Sequence, residues 1–284
     1  MNWIILSLLT ALSRSLTDIF TKKSGEKTDF LIIAWATNFF ALPVLLPIVI
    51  AQGIPELNTS FFVTLLFSGL LNGIVAVLYV RALQESDISL AIPMVAFSPL
   101  LMFITTPILV NEYPSKLGAV GILLIVAGSY IANLKRKTGI FEPFKSLYRN
   151  KGTKMMLAVA LIWSITSNLD KIGLTNSSPV FWGFSVYFFI SILLFRPAFF
   201  KTLRNINTSK KNLLLTGIFN GLTILFQMQA LTLTIVPYVI AIKRTSVIIS
   251  VIAGFLIFKE NSRLKRLSGA ILMFLGILFI ILKP

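Results

Sequence analysis

The sequence has neither cysteine nor histidine among its 284 residues. Without cysteine there is no disulfide framework, no thiolate metal site and no cysteine nucleophile. Without histidine the usual switch near neutral pH is missing, and metal ligation would rest on carboxylates. Acidic residues are also scarce, with 10 Asp and Glu against 26 Lys and Arg. Charged residues make up 13% of the chain, against about 25% in ordinary soluble domains. No nucleophile–base pair and no metal cluster is visible, so neither catalysis nor a cofactor is expected. The stretch Ser24–Gly25–Glu26–Lys27–Thr28 has a phosphate-loop flavour, but Phe20 stands where the first glycine belongs.

What the sequence does contain is apolar length. It is 56% hydrophobic with a mean hydropathy of +0.88. Apolar runs of about 20 residues recur, each able to cross a hydrocarbon core of roughly 30 Å. The pattern predicts an all-α integral membrane protein with ten spans. They fall near 2–21, 30–51, 61–81, 88–110 and 116–134, then near 154–174, 180–200, 212–232, 235–258 and 264–282. The first run lacks a basic leader and a small-residue cleavage site, so it is read as a retained helix.

The second half repeats the first. Residues 69–135 fall on 217–283 without a gap, setting Gly69 on Gly217, Gly73 on Gly221, Glu112 on Glu260, Gly121 on Gly269 and Gly128 on Gly276. The opening helices match more loosely, through Ser15–Leu16–Thr17–Asp18 and Ser167–Asn168–Leu169–Asp170. Residues 1–134 and 154–284 are thus expected as two five-helix repeats joined by a basic linker, 135–153. Five is odd, so the second repeat enters the membrane from the opposite side. Two inverted repeats are an architecture of secondary transporters.

The net charge of +16 is assigned to the lipid bilayer and not to nucleic acid. Lys and Arg crowd the odd-numbered loops, while the even loops and the C-terminus hold only Lys116, Lys171 and Lys283. The positive-inside rule places the odd loops in the cytoplasm and both termini outside.

Ionisable groups inside spans cost about 2.5–3.5 kcal/mol each, so each needs a reason. Lys243 and Arg244 lie some eight residues into the ninth span, roughly 12 Å deep. They would receive an anionic group, or else form a buried ion pair with Asp18 or Asp170. Arg14 and Asp18 share a helix face and could pair locally. Asp18 is the candidate for proton coupling, with Glu85 and Asp87 weaker ones. Asp170 and Lys171 fall nearer a helix end, where snorkelling is cheap. Asn72, Tyr79, Asn220 and Gln227, with the aligned pair Arg81 and Gln229, could line a cavity or bond between helices.

Other features have a plainer reading. The Gly69-x-x-x-Gly73 and Gly217-x-x-x-Gly221 spacings suit close helix packing inside the monomer better than dimerisation. Pro93, Pro99 and Pro107 in the fourth span and Pro237 in the ninth mark kinks and moving parts. Trp163, Trp35, Trp182 and Tyr187 could stack on a substrate or anchor the fold. Glu112 and Glu260 read as caps on the helices that follow them, or as gate contacts.

Lys259–Glu260–Asn261–Ser262 followed by Gly269-x6-Gly276, with Asn111–Glu112–Tyr113–Pro114 and Gly121-x6-Gly128 as the first-half copy, resembles the EamA-type branch of the drug/metabolite transporter superfamily. The likeness spans essentially the whole chain. It implies an exporter or exchanger of small metabolites, with a cavity lined by the first, third, fourth, sixth, eighth and ninth helices. On this chain that cavity would enclose Arg14, Asp18, Tyr79, Trp163, Asn168, Gln227, Lys243 and Arg244. It also implies, from eukaryotic relatives, termini in the cytosol.

The expected protein is a secondary transporter in the cell membrane, a monomer or homodimer. It would move a small anionic or zwitterionic metabolite, such as an amino acid, by alternating access, with protons as a possible co-substrate. The alternatives are a flippase for a lipid or lipid-linked sugar and a non-transporting scaffold or sensor.

Overall fold

The computed structural model describes residues 2–25, 28–85, 88–134, 139–202, 210–246 and 263–282. The first half comprises α1 (Asn2–Gly25), α2 (Phe30–Phe39), α3 (Leu42–Gln52), α4 (Thr59–Glu85), α5 (Ile88–Val95), α6 (Ser98–Val110) and α7 (Lys116–Asn133). A short α8 (Glu142–Arg149) follows. The second half comprises α9 (Lys151–Thr175), α10 (Pro179–Thr202), α11 (Lys210–Leu233), α12 (Val236–Lys243) and α13 (Arg263–Ile281). Among the described residues, eight helical stretches are long and apolar enough to cross a bilayer. The helices α12 and α13 stand where the ninth and tenth spans are expected. Residues 247–262, including Glu260 and the Lys259–Ser262 motif, lie outside the described part.

The packing reproduces the repeat. First-half helices meet second-half helices crosswise, α1 against α11 and α4 against α9, while α2 meets α10 and α7 meets α13. Exchanging the halves leaves this pattern unchanged, as a two-fold axis in the membrane plane requires. The glycines give the direction. A side chain on Gly121 would strike the Gly276 carbonyl, and one on Gly128 the Gly269 carbonyl. Position rises on one helix as it falls on the other, so these equivalent helices run antiparallel and the repeat is inverted.

The other glycine pairs obey the same symmetry. Gly69 and Gly73 of α4 admit Phe189 and Leu193 of α10, whereas Gly217 and Gly221 of α11 admit Phe40, Ala41 and Val44 at the α2–α3 junction. Both spacings therefore pack helices within one chain, as expected.

Two spans are broken at aligned positions. The fourth divides at Ala96 and Phe97, with Pro93 just before the break and Pro99 just after it. The ninth ends its first helix at Lys243, and Arg244 and Thr245 form the turn. The second span also divides, at Phe40 and Ala41 before Pro43, a break the hydropathy did not announce.

The linker is not merely a tether. Helix α8 presents Lys145 and Arg149 beside exposed Phe141 and Tyr148. Its Phe144 packs on Phe97 and Tyr130, at 5.5 and 5.7 Å between ring centres. This composition suits a helix lying in the headgroup layer.

Candidate functional site

A cavity of about 120 Å³ lies among α1, α2, α4, α9, α10, α11 and α12. One of its walls is built around an indole. The guanidinium carbons of Arg14 and Arg244 lie 5.3 and 5.0 Å from the centre of the Trp163 ring, and the Lys243 ammonium lies at 5.9 Å. Tyr79 packs against the same indole at 5.4 Å and lies 4.8 Å from the Arg14 guanidinium. Each cation–π contact contributes about 0.5–2 kcal/mol, yet three like charges around one ring repel.

Only one of the three is neutralised. Arg14 pairs with Asp18 at 3.0 Å, and the Tyr79 hydroxyl donates to the same carboxylate at 3.1 Å. The predicted local pair is therefore present. Lys243 instead donates to the Gln227 side-chain oxygen. Arg244 donates to Ser98 Oγ through Nε, at 3.2 Å, and through Nη2. Among the described residues neither Lys243 nor Arg244 forms an ion pair, so the expected alternative of a salt bridge to Asp18 or Asp170 is not what holds them. Because Ser98 opens α6, the Arg244 contact joins the break in the ninth span to the break in the fourth. Irregular backbone at this depth is tolerated where it lines a cavity, and broken helices at the midplane are where carriers place their sites.

The opposite wall centres on Asp170. Its carboxylate is 7% exposed and accepts from Trp182 Nε1 at 3.0 Å and from Ser68 Oγ at 3.5 Å. Asn72 in turn donates to Ser68 at 3.1 Å. Thus Asp170 does not snorkel. Placing α9 beside α4 and α10 buries it, and the indole that holds it comes from the next helix. Trp182 itself is fully buried and serves the fold.

Of the eight residues expected at the site, seven line the cavity: Arg14, Asp18, Tyr79, Trp163, Gln227, Lys243 and Arg244. Asn168 does not. It is fully buried and donates to Thr105 Oγ1 at 3.2 Å and to the Ser164 carbonyl at 2.6 Å, tying α9 to α6. Asn72 and Asn220 line the wall, whereas Arg81 pairs with Glu85 at 2.6 Å on an exposed surface and Gln229 takes no part in the lining. The second and seventh spans contribute Asn38 and Tyr187, and the fourth span contributes no lining residue. Sequence reasoning missed the second and seventh spans because α2 and α10 are apolar throughout, with no periodic polar face to mark them.

One end of the bundle is tied shut. Glu112 pairs with Lys171 at 3.2 Å and accepts the Val236 amide at 2.8 Å. Lys171 also donates to the carbonyls of Leu231 and Thr234. The Tyr238 hydroxyl accepts the Ser115 amide at 3.0 Å. Glu112 therefore caps α12, more than a hundred residues away, and not the helix that follows it, whose cap is Ser115. All these groups sit at the even-loop end. The cavity reaches towards the other end, through Thr21, Ala34 and Val80.

A multi-pass helical membrane protein made of two inverted repeats, with a polar cavity where its broken helices meet, belongs to the class of membrane transporters. The profile of the EamA-like transporter family matches residues 1–134 and again 150–282. The chain belongs to that family, within the drug/metabolite transporter superfamily, whose members are transporters and not enzymes. Among solved structures, 28 chains match. One, titled only "Crystal structure of protein", is 17% identical with a TM-score of 0.73, over 99% of this chain and 98% of that one. At that identity the likeness concerns the fold alone. None of the curated proteins matches the chain.

Proposed function

We propose that this transporter carries a small anionic or zwitterionic metabolite across the cell membrane by alternating access, as an exporter or exchanger. The observation that carries the reading is the pair Lys243 and Arg244, buried at a helix break without a carboxylate partner among the described residues. Charges so placed are expensive unless a ligand compensates them. The cavity is well below the ~300–1,000 Å³ typical of sites for drug-sized ligands, which favours a small metabolite over a lipid-linked sugar. With the odd loops cytoplasmic, the cavity faces the cytoplasm and the Glu112–Lys171 contact closes the outside. Substrate would load from within, and Asp18, beside the cationic wall, is the candidate for any proton coupling.

A thermal-shift screen of the detergent-purified protein tests the reading, because a ligand of the folded state raises the melting temperature by mass action. Amino acids or organic acids should raise it, and neutral sugars and simple amines should not. A flat response from every anion and zwitterion in a cooperatively melting protein would sink the proposal and favour a scaffold.

The closing contact gives a second test. Glu112→Gln removes one charge from the Lys171 pair and weakens the α12 cap. At about 1.5 kcal/mol for a hydrogen bond to a charged group, the outward-open population rises roughly tenfold. The chain has no native cysteine, so Thr166→Cys in the cavity wall supplies a single reporter. In the Glu112→Gln background an impermeant thiol reagent applied from the even-loop side should label it several-fold faster. Unchanged labelling would remove Glu112 from gating.

A further inference from the structure

We propose that Asp170 receives the cationic group of the substrate, so that the cargo is a short zwitterion held between Asp170 and Lys243. The inference rests on the anion-binding reading above and narrows its substrate class. Its basis is the different state of the two cavity carboxylates. Asp18 is already compensated by Arg14 at 3.0 Å, so an incoming cation would have to displace a guanidinium. Asp170 is more buried, and among the described residues it is held only by neutral donors, Trp182 and Ser68. Those two donors fix the carboxylate in the wall but leave its charge unmatched.

Lys243 offers the complementary end. It interacts electrostatically with Asp170, yet the two do not form an ion pair among the described residues, and its hydrogen bond goes to Gln227. The empty cavity thus holds one unmatched negative charge and one unmatched positive charge, near enough to act on each other and too far apart to pair. A molecule carrying carboxylate and ammonium on adjacent carbons satisfies both at once. A plain carboxylate would satisfy Lys243 and leave Asp170 as before. An amine would do the reverse and would add a cation beside Arg14 and Arg244. Buried charged groups left unmatched are what allow a site to reject an analogue lacking one functional group.

The test uses the purified full-length protein and a panel of α-amino acids. Each is matched with the acid lacking the amino group and the amine lacking the carboxylate, for example alanine, propanoate and ethylamine. Melting temperature gives binding, and counterflow in proteoliposomes gives transport. The expected result is that at least one amino acid binds tenfold or more tightly than its acid, and that its amine does not bind. Asp170→Asn, which keeps an acceptor for Trp182, should bring that amino acid down to the level of its acid while leaving the acid unchanged. If the wild-type protein binds acids as tightly as amino acids, the zwitterion proposal is overturned and the anion reading stands. Equal transport of acids that also requires a pH gradient would give Asp170 to a proton and overturn it as well. If no member of the panel binds, the acids included, the anion reading itself fails. The wild-type comparison needs no variant, so misfolding of Asp170→Asn cannot obscure the outcome.

Discussion

Lys243→Met is expected to abolish transport and at the same time make the protein more stable. In the empty cavity the Lys243 ammonium has a hydrogen bond to Gln227 and a distant indole face. These are set against a burial cost of about 2.5–3.5 kcal/mol. Methionine fills nearly the same volume without the charge, and exchanging buried charge for apolar bulk is often stabilising by about 1–4 kcal/mol. The melting temperature should therefore rise by several degrees. Substrate, however, loses its carboxylate partner. Removing one member of a buried charged contact costs about 2–5 kcal/mol, a loss of roughly thirtyfold or more in affinity. Arg244→Ala should lose transport to a similar extent without the gain in stability, because it also severs the Ser98 bond between the two helix breaks. Counterflow and differential scanning fluorimetry read the two quantities. A Lys243→Met protein that melts lower than wild type, or that transports at full rate, would show that the lysine is structural.

The second large effect is expected at the α7–α13 seam. In an isolated helix Gly→Ala is favourable by about 1 kcal/mol. At Gly128 the sign should reverse, since a methyl group would sit 2.5 Å from the carbonyl oxygen of Gly269. A backbone oxygen cannot rotate away as a side chain can, so the helices must part. Overpacking of this kind costs about 1–3 kcal/mol, and Gly128→Leu should cost more and leave little folded protein. Gly269→Ala should match Gly128→Ala, and the double variant should cost less than the sum, because one displacement of the helices serves both residues. Gly139→Ala, where the nearest atom is 3.5 Å away at the end of the Glu142 side chain, is the control. Melting of the purified variants measures the series, and a neutral Gly128→Ala would mean that the seam is looser than its geometry indicates.

Much of this was legible in the chain. Gap-free alignment of 69–135 on 217–283 announced the repeat, and an odd helix count announced its inversion. Lys243 and Arg244 were conspicuous because the apolar pattern around them gives no other reason for charge. The Arg14–Asp18 pair followed from a spacing of four on one helix. What stayed hidden depends on contacts between distant segments. Asp170 sits near the end of its hydropathy span, and only the indole of the next helix reveals that it is buried and held. Asn168 is two residues away on the same helix, yet it turns to Thr105 because α9 is wedged between α4 and α6. Glu112 has the spacing of a cap for the next helix but caps α12, which only the folded chain brings near. Hydropathy reports how much of a helix is apolar, not which of its faces meets water.

The seam carries one further consequence. Gly121 and Gly128 are the counterparts in sequence of Gly269 and Gly276, and they pair crosswise, Gly121 with Gly276 and Gly128 with Gly269. Between separate molecules, such reciprocity is the signature of an isologous contact, in which one patch serves as both donor and receiver. A gene for the first 134 residues alone would already encode both sides of this interface, provided that its product entered the bilayer in both orientations. Duplication and fusion of that gene would make permanent an encounter that two free half-length proteins must find by diffusion. It would also release each half to diverge, which is how a lysine and an arginine came to stand at only one of two equivalent helix breaks.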